Sequence, residues 1–146
     1  MTPAHRTILK IATVLWIVWG LVHAFAGVMT ISLETTAGFQ GIVDGVDPAA
    51  LAHDYHAAVG GVLNQHGWNL LWFGVATVIG GVMIWRGSRT AIWVTAMVGG
   101  LADLGYLLFL DVPGYVKFVP GTVMTLICGA AIALSGWVWF ASRDAQ

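Results

Sequence analysis

Four stretches of this chain, about Thr7 to Leu33, Val62 to Trp85, Ala91 to Leu110 and Gly121 to Ala141, approach the roughly 20 apolar residues needed to cross a bilayer. Hydrocarbon offers no partner for backbone N–H and C=O groups, so a crossing segment must satisfy them internally. The runs are too long and too uniformly apolar for barrel strands, which leaves helices. Composition agrees, because 58% apolar residues, 9% charged residues and a mean hydropathy of +0.83 exceed what a water-facing surface can cover. The expected fold is all-α, an integral membrane bundle of four transmembrane helices. With 146 residues the chain forms one domain, and residues 34–61 form its one long loop.

Basic residues set the expected orientation. Arg6 and Lys10 precede the first span, Arg86 and Arg89 separate the second from the third, and Arg143 follows the fourth, whereas Lys117 alone falls on the other side. Positive residues favour the cytoplasm, so both termini and the short RGSRT turn belong there in a multi-pass protein of the cell membrane. The loop 34–61 and the segment DVPGYVKFVPG then face outward. The basic start and Ala24-Phe25-Ala26 imitate a cleavable leader, but the apolar run continues to Leu33, so the segment is expected to be retained. A net charge of −1 and the lack of any basic run give no support for a nucleic-acid partner.

Inside the spans, His23 and Asp103 are the informative residues, since an ionisable group in hydrocarbon costs upward of about 2.5 kcal/mol unless it faces a partner, a ligand or the bundle interior. Counting about 1.5 Å per residue from Lys10 and from Thr90 puts both about 20 Å from the cytoplasmic ends, so they can meet. Trp72 and the single cysteine, Cys128, fall in the same layer, while His66 and Asn69 stand above it, one turn apart on the second span. Gly20 and Gly27 share a face with His23, and Gly99 and Gly100 with Asp103. Such small residues either permit close helix packing or leave room for a flat ligand. Five of the eight tryptophans sit where interfacial anchors belong, Trp85, Trp93, Trp137 and Trp139 at the cytoplasmic side and Trp68 at the outer one. Trp16, Trp19 and Trp72 lie deeper and are candidates for lining a cavity.

The loop 34–61 suggests a second cluster. Asp47 followed by Pro48 reads as an N-cap with proline at the first helical position, and a short amphipathic helix from about Pro48 to Val59 is expected. It would carry His53 and His56 at i and i+3, and with His66 three imidazoles could share Zn or Cu. The alternative is an interfacial helix with incidental histidines.

No nucleophile elbow, phosphate loop, dinucleotide fingerprint or HExxH occurs, so hydrolysis and nucleotide chemistry have no support. Three readings follow. In the first, His23, Asp103, His66, Asn69, Trp72 and Trp19 line an outward-facing pocket for an apolar or quinone-like molecule, a haem or a transition metal held through His23 and His66. WGLVHAFAG is compatible with haem ligation, although His66 lies about 9 Å above His23 by helix rise. In the second, the chain is a small proton-coupled transporter acting as an oligomer. In the third, it is a structural subunit of a larger membrane complex, with His23 and Asp103 as packing contacts.

Overall fold

A computed structural model describes residues 2–142, which contain helices and connecting turns and no strand. Helix α1 (Pro3–Ser32) leads through α2 (Thr35–Ile42) and a 3-10 turn (Pro48–Leu51) to α3 (Ala57–Trp85). Helix α4 (Arg89–Tyr106) continues as a wider π turn (Leu107–Asp111), and a kinked segment (Phe118–Thr122), whose Val119 is extended at φ −116° and ψ 125°, leads into α5 (Val123–Ala141). Four helical segments, Pro3–Ser32, Ala57–Trp85, Arg89–Asp111 and Phe118–Ala141, the last kinked at Val119, are long and apolar enough to cross a membrane.

Local chemistry explains the helix ends that apolar length alone misplaces. At the start of α1 the Thr2 hydroxyl accepts from the His5 N–H at 3.2 Å and Pro3 occupies the first turn, so the helix begins well before the apolar run. His56 is the N-cap of α3, its Nδ1 accepting from the Ala58 N–H at 3.2 Å, and Gly60-Gly61 lies inside that helix rather than breaking it. Between α3 and α4, Gly87 adopts φ +90°, which glycine tolerates without a Cβ penalty, while the Ser88 N–H closes onto the Met83 carbonyl at 3.0 Å.

Helix α1 packs against α3 and α5, and α4 packs against the same two. The α1–α3 contact is a glycine seam with heptad spacing. Gly20 and Gly27 oppose Gly74 and Gly67 across antiparallel helices, and Gly81 continues the row beside the Thr13 backbone. A β-carbon at Gly27 would lie 2.5 Å from the Gly67 carbonyl oxygen, so the backbones touch only because both positions lack side chains.

Charge divides the molecule into two ends. Arg6, Lys10, Arg86 and Arg89 lie at one, where the Lys10 ammonium stands 5.1 Å from the Trp85 ring centre and Arg89 5.8 Å from that of Trp139. Glu34, Asp44, Asp47, Asp54, Asp111 and Lys117 belong to the other. Arg143, the fifth basic residue of the orientation argument, lies outside the described residues.

The loop at the acidic end departs from expectation. Asp47 does cap, its carboxylate accepting from the Ala49 N–H at 2.9 Å, but the helix stops at Leu51 and residues 52–55 are not helical. The Tyr55 hydroxyl donates to the Leu51 carbonyl at 3.1 Å, and its ring packs 5.4 Å from Phe39 of α2. That packing uses the residues expected to continue the helix, and the helix resumes only at the His56 cap. The unforeseen α2 supplies the surface they pack on. The Gly45 N–H donates to the Tyr115 carbonyl at 3.0 Å and the Lys117 N–H to the Asp44 carboxylate at 2.8 Å, tying this loop to the α4–α5 connection.

Candidate functional site

Trp16, Trp19 and Asp103 are the large polar-tipped side chains buried where the helices meet, the two indoles fully and the carboxylate with 5% of its surface exposed. Both indoles extend from α1 to α4. The Trp16 ring fills the space over Gly99, where a β-carbon would come within 2.6 Å of it, and the Trp19 Nε1–H donates to Asp103 Oδ1 at 3.0 Å. On α5 the Thr125 hydroxyl stands near the same carboxylate without reaching hydrogen-bond geometry, and buried Cys128 lies within electrostatic range.

His23 joins this group through Trp19 rather than through Asp103. Its imidazole stacks on the Trp19 ring with centres 3.6 Å apart and an interplanar angle of 20°, and its Nδ1 lies 2.8 Å from the Trp19 carbonyl oxygen. A carbonyl only accepts, so Nδ1 carries the proton in this contact and a neutral ring presents the Nε2 lone pair. Nε2 has no hydrogen-bond partner among the described residues. The direct His23–Asp103 pair expected from depth does not form. Trp19 stands between them, stacked on one and donating to the other.

The glycines beside His23 leave no room for a ligand on their side, because the backbone of α3 occupies the space next to Gly20 and Gly27. Gly99 likewise receives Trp16, and Gly100 receives Ile132. All four therefore serve close packing.

Other expected members lie elsewhere. Trp72 is 42% exposed and donates through its indole N–H to Asn69 Oδ1 at 3.3 Å, one turn earlier. The helical wheel sets both residues on the side of α3 away from its glycine seam, so they form no wall around His23. His66 is half-buried and forms no hydrogen bond with a described residue. His53 and His56 do not share a helix. His56 caps α3, while exposed His53 borders a polar cleft of about 310 Å³ with Glu34, Thr35, Thr36, Asp54 and Tyr55. Among the described residues no three His, Cys, Asp or Glu side chains are grouped to hold a metal, so the expected convergence of His53, His56 and His66 does not occur.

Sequence reasoning missed Thr125 and Tyr106. The Tyr106 hydroxyl lies where a β-carbon on Gly121 would come within 2.5 Å, and Asp111, Asp44 and Asp103 are all within its electrostatic range. The available signal was the i, i+3 spacing of Asp103 and Tyr106 on one helix face, together with a small residue at the start of the last span. No protein-family model, curated protein or solved structure matches the chain.

Proposed function

We propose that this chain is a multi-pass membrane protein, a four-helix transmembrane bundle with cytoplasmic termini, that binds a small apolar molecule carrying a hydroxyl donor, of the quinol class, at His23. The observation that carries this reading is the preset imidazole. Stacking on Trp19 and the bond from Nδ1 to the Trp19 carbonyl fix the ring and its tautomer, while Asp103 holds Trp19 in turn. Anchoring one ring nitrogen to a carbonyl is how proteins orient a histidine whose other nitrogen contacts a ligand. An Nε2 lone pair accepts from an O–H. A lone imidazole, with no second and third protein ligand grouped beside it among the described residues, supports an organic guest better than a chelated metal.

The test is native mass spectrometry and solvent extraction of protein purified in mild detergent, with Fe, Cu and Zn measured in parallel. The expected result is a quinol-class molecule near one per chain, lost in His23→Ala while helicity and melting persist. A stoichiometric metal would replace the organic ligand, and equal retention by His23→Ala would remove His23 from the site. A second reading, a structural subunit of a membrane complex, draws on the glycine seam and on the Trp19–Asp103 bond as interhelical packing contacts. It gains if neither ligand nor metal is found.

A further inference from the structure

An apolar groove of about 250 Å³ opens between α4 and α5 in the half of the molecule nearest the basic end. Trp93, Trp137 and Phe140 line it together with the small residues Ala96, Ala133 and Gly136. Its depth comes from missing side chains, since a β-carbon on Gly136 would meet nothing within 4 Å. A basic group, Arg89, lies one turn before the lining residues Ile92 and Trp93 on α4. Arg89 Nη2 donates to the Trp139 carbonyl at 3.3 Å, and the Trp139 ring lies edge-on to two of the lining residues, 5.1 Å from Trp93 and 4.9 Å from Phe140. Arginine has five N–H donors in a fork suited to phosphate, and this bond occupies one of them. Exposed Arg86 and the N-terminus of α4, both at the same end, add to the positive potential. Ala96 lies about 10 Å along α4 from Arg89, so the groove residues of α4 start one turn from the arginine and run toward the middle of the helix.

From this arrangement we infer that the α4–α5 groove is a binding site for one anionic phospholipid, with an acyl chain against Gly136 and Ala133 and the phosphate at Arg89. The inference rests on the membrane-spanning reading but not on the His23 site. Charge selects this occupant over a second copy of the chain, which would bring its own Arg86, Arg89 or Lys10 toward the same basic end if packed side by side in one orientation. A zwitterionic lipid fits the groove but leaves the arginine without a net counter-charge, and basic pockets between membrane helices favour anionic headgroups.

The experiment is native mass spectrometry of the full chain from micelles containing equal phosphatidylglycerol and phosphatidylcholine. The wild type is expected to retain one phosphatidylglycerol at least fivefold over phosphatidylcholine, undiminished by millimolar inorganic phosphate. Arg89→Gln should bring that ratio near one, and Gly136→Leu should remove most retained lipid of both kinds. Equal retention in the wild type, a preference unchanged in both variants, or displacement by phosphate alone overturns the proposal. So does a dimer that Gly136→Leu converts to monomer, which would assign the groove to a second copy. In case neither variant folds, a wild-type measurement stands beside them. Brominated phosphatidylglycerol should quench tryptophan emission more strongly than brominated phosphatidylcholine at equal surface fraction, and equal quenching overturns the site. Release of the chain from vesicles by alkaline carbonate would overturn the spanning reading and this inference together.

Discussion

Trp19 performs two tasks with one side chain. Its face supports the His23 imidazole, and its edge satisfies a carboxylate beside which the described residues place no cation. The tasks can be separated by substitution. Trp19→Phe keeps an aromatic face but removes the donor, leaving a buried acceptor short of its partner, a change that costs about 1 to 3 kcal/mol. Asp103→Asn keeps an oxygen that can accept from Trp19, so the expected loss is smaller, nearer the roughly 0.6 kcal/mol average of interhelical hydrogen bonds in membranes. Unfolding in mixed micelles checks the order. If Asp103→Asn proves the more damaging of the two, the carboxylate's charge, and not its bond to Trp19, is what the interior requires. The same pair bears on the ligand. Trp19→Phe should weaken retention of a molecule held at His23, because the supporting ring is no longer fixed by Asp103, and ligand content per chain measures this.

At the scale of helices, the α1–α3 seam accounts for both glycines that flank His23. A β-carbon at Gly27 would strike the Gly67 oxygen and the Leu71 nitrogen at 2.5 Å each, and backbone cannot rotate aside as a side chain can. Gly27→Ala should therefore cost about 1 to 3 kcal/mol through overpacking. Gly129 of α5 meets nothing within 4 Å, and Gly129→Ala should instead be neutral or stabilising by up to about 1 kcal/mol through helix propensity. Thermal melts of the two variants in one detergent provide the comparison, and equal shifts would show that the seam is not tightly closed. The seam was half legible in the sequence. Gly20 and Gly27 visibly share a face with His23, but whether the vacated space takes a ligand or a neighbouring backbone depends on Gly67 and Gly74, whose register with α1 no local pattern specifies. Asp47-Pro48 shows the same limit. The pair marks a helical start correctly, yet a cap says nothing about how far the helix runs, and Tyr55 packing on Phe39 ends it after one turn. The four spans were readable because hydrocarbon-length apolarity is a property of each segment alone, whereas the Trp19–Asp103 contact joins residues 84 positions apart.

The whole molecule combines two unequal helix pairs with two oppositely charged ends. Helices α1 and α3, with 30 and 29 residues, measure about 45 Å along their axes, well beyond a hydrocarbon core of about 30 Å. Tilt absorbs part of the excess, and the rest must emerge at the ends, where polar residues take over from apolar ones: His5 and Arg6 on α1 at the basic end, Asn64 and Gln65 on α3 at the other. At the acidic end the emerging turns meet a cap in which Asp44 and Gly45 bind the backbone of the α4–α5 connection. At the basic end no loop among the described residues covers the helices, and Lys10 and Arg89 lie over the Trp85 and Trp139 rings. This asymmetry leads to a topological prediction. In a Cys128→Ala background, Lys117→Cys should react with a membrane-impermeant maleimide in intact cells, whereas Ala4→Cys should react only after the membrane is opened. Both residues are exposed, so access to them depends on the side of the membrane and not on burial. The reverse pattern would place the basic end outside and contradict the orientation drawn from Arg6, Lys10, Arg86 and Arg89. It would also turn the His23 side of the molecule toward the cytoplasm, so that a ligand would enter from that compartment.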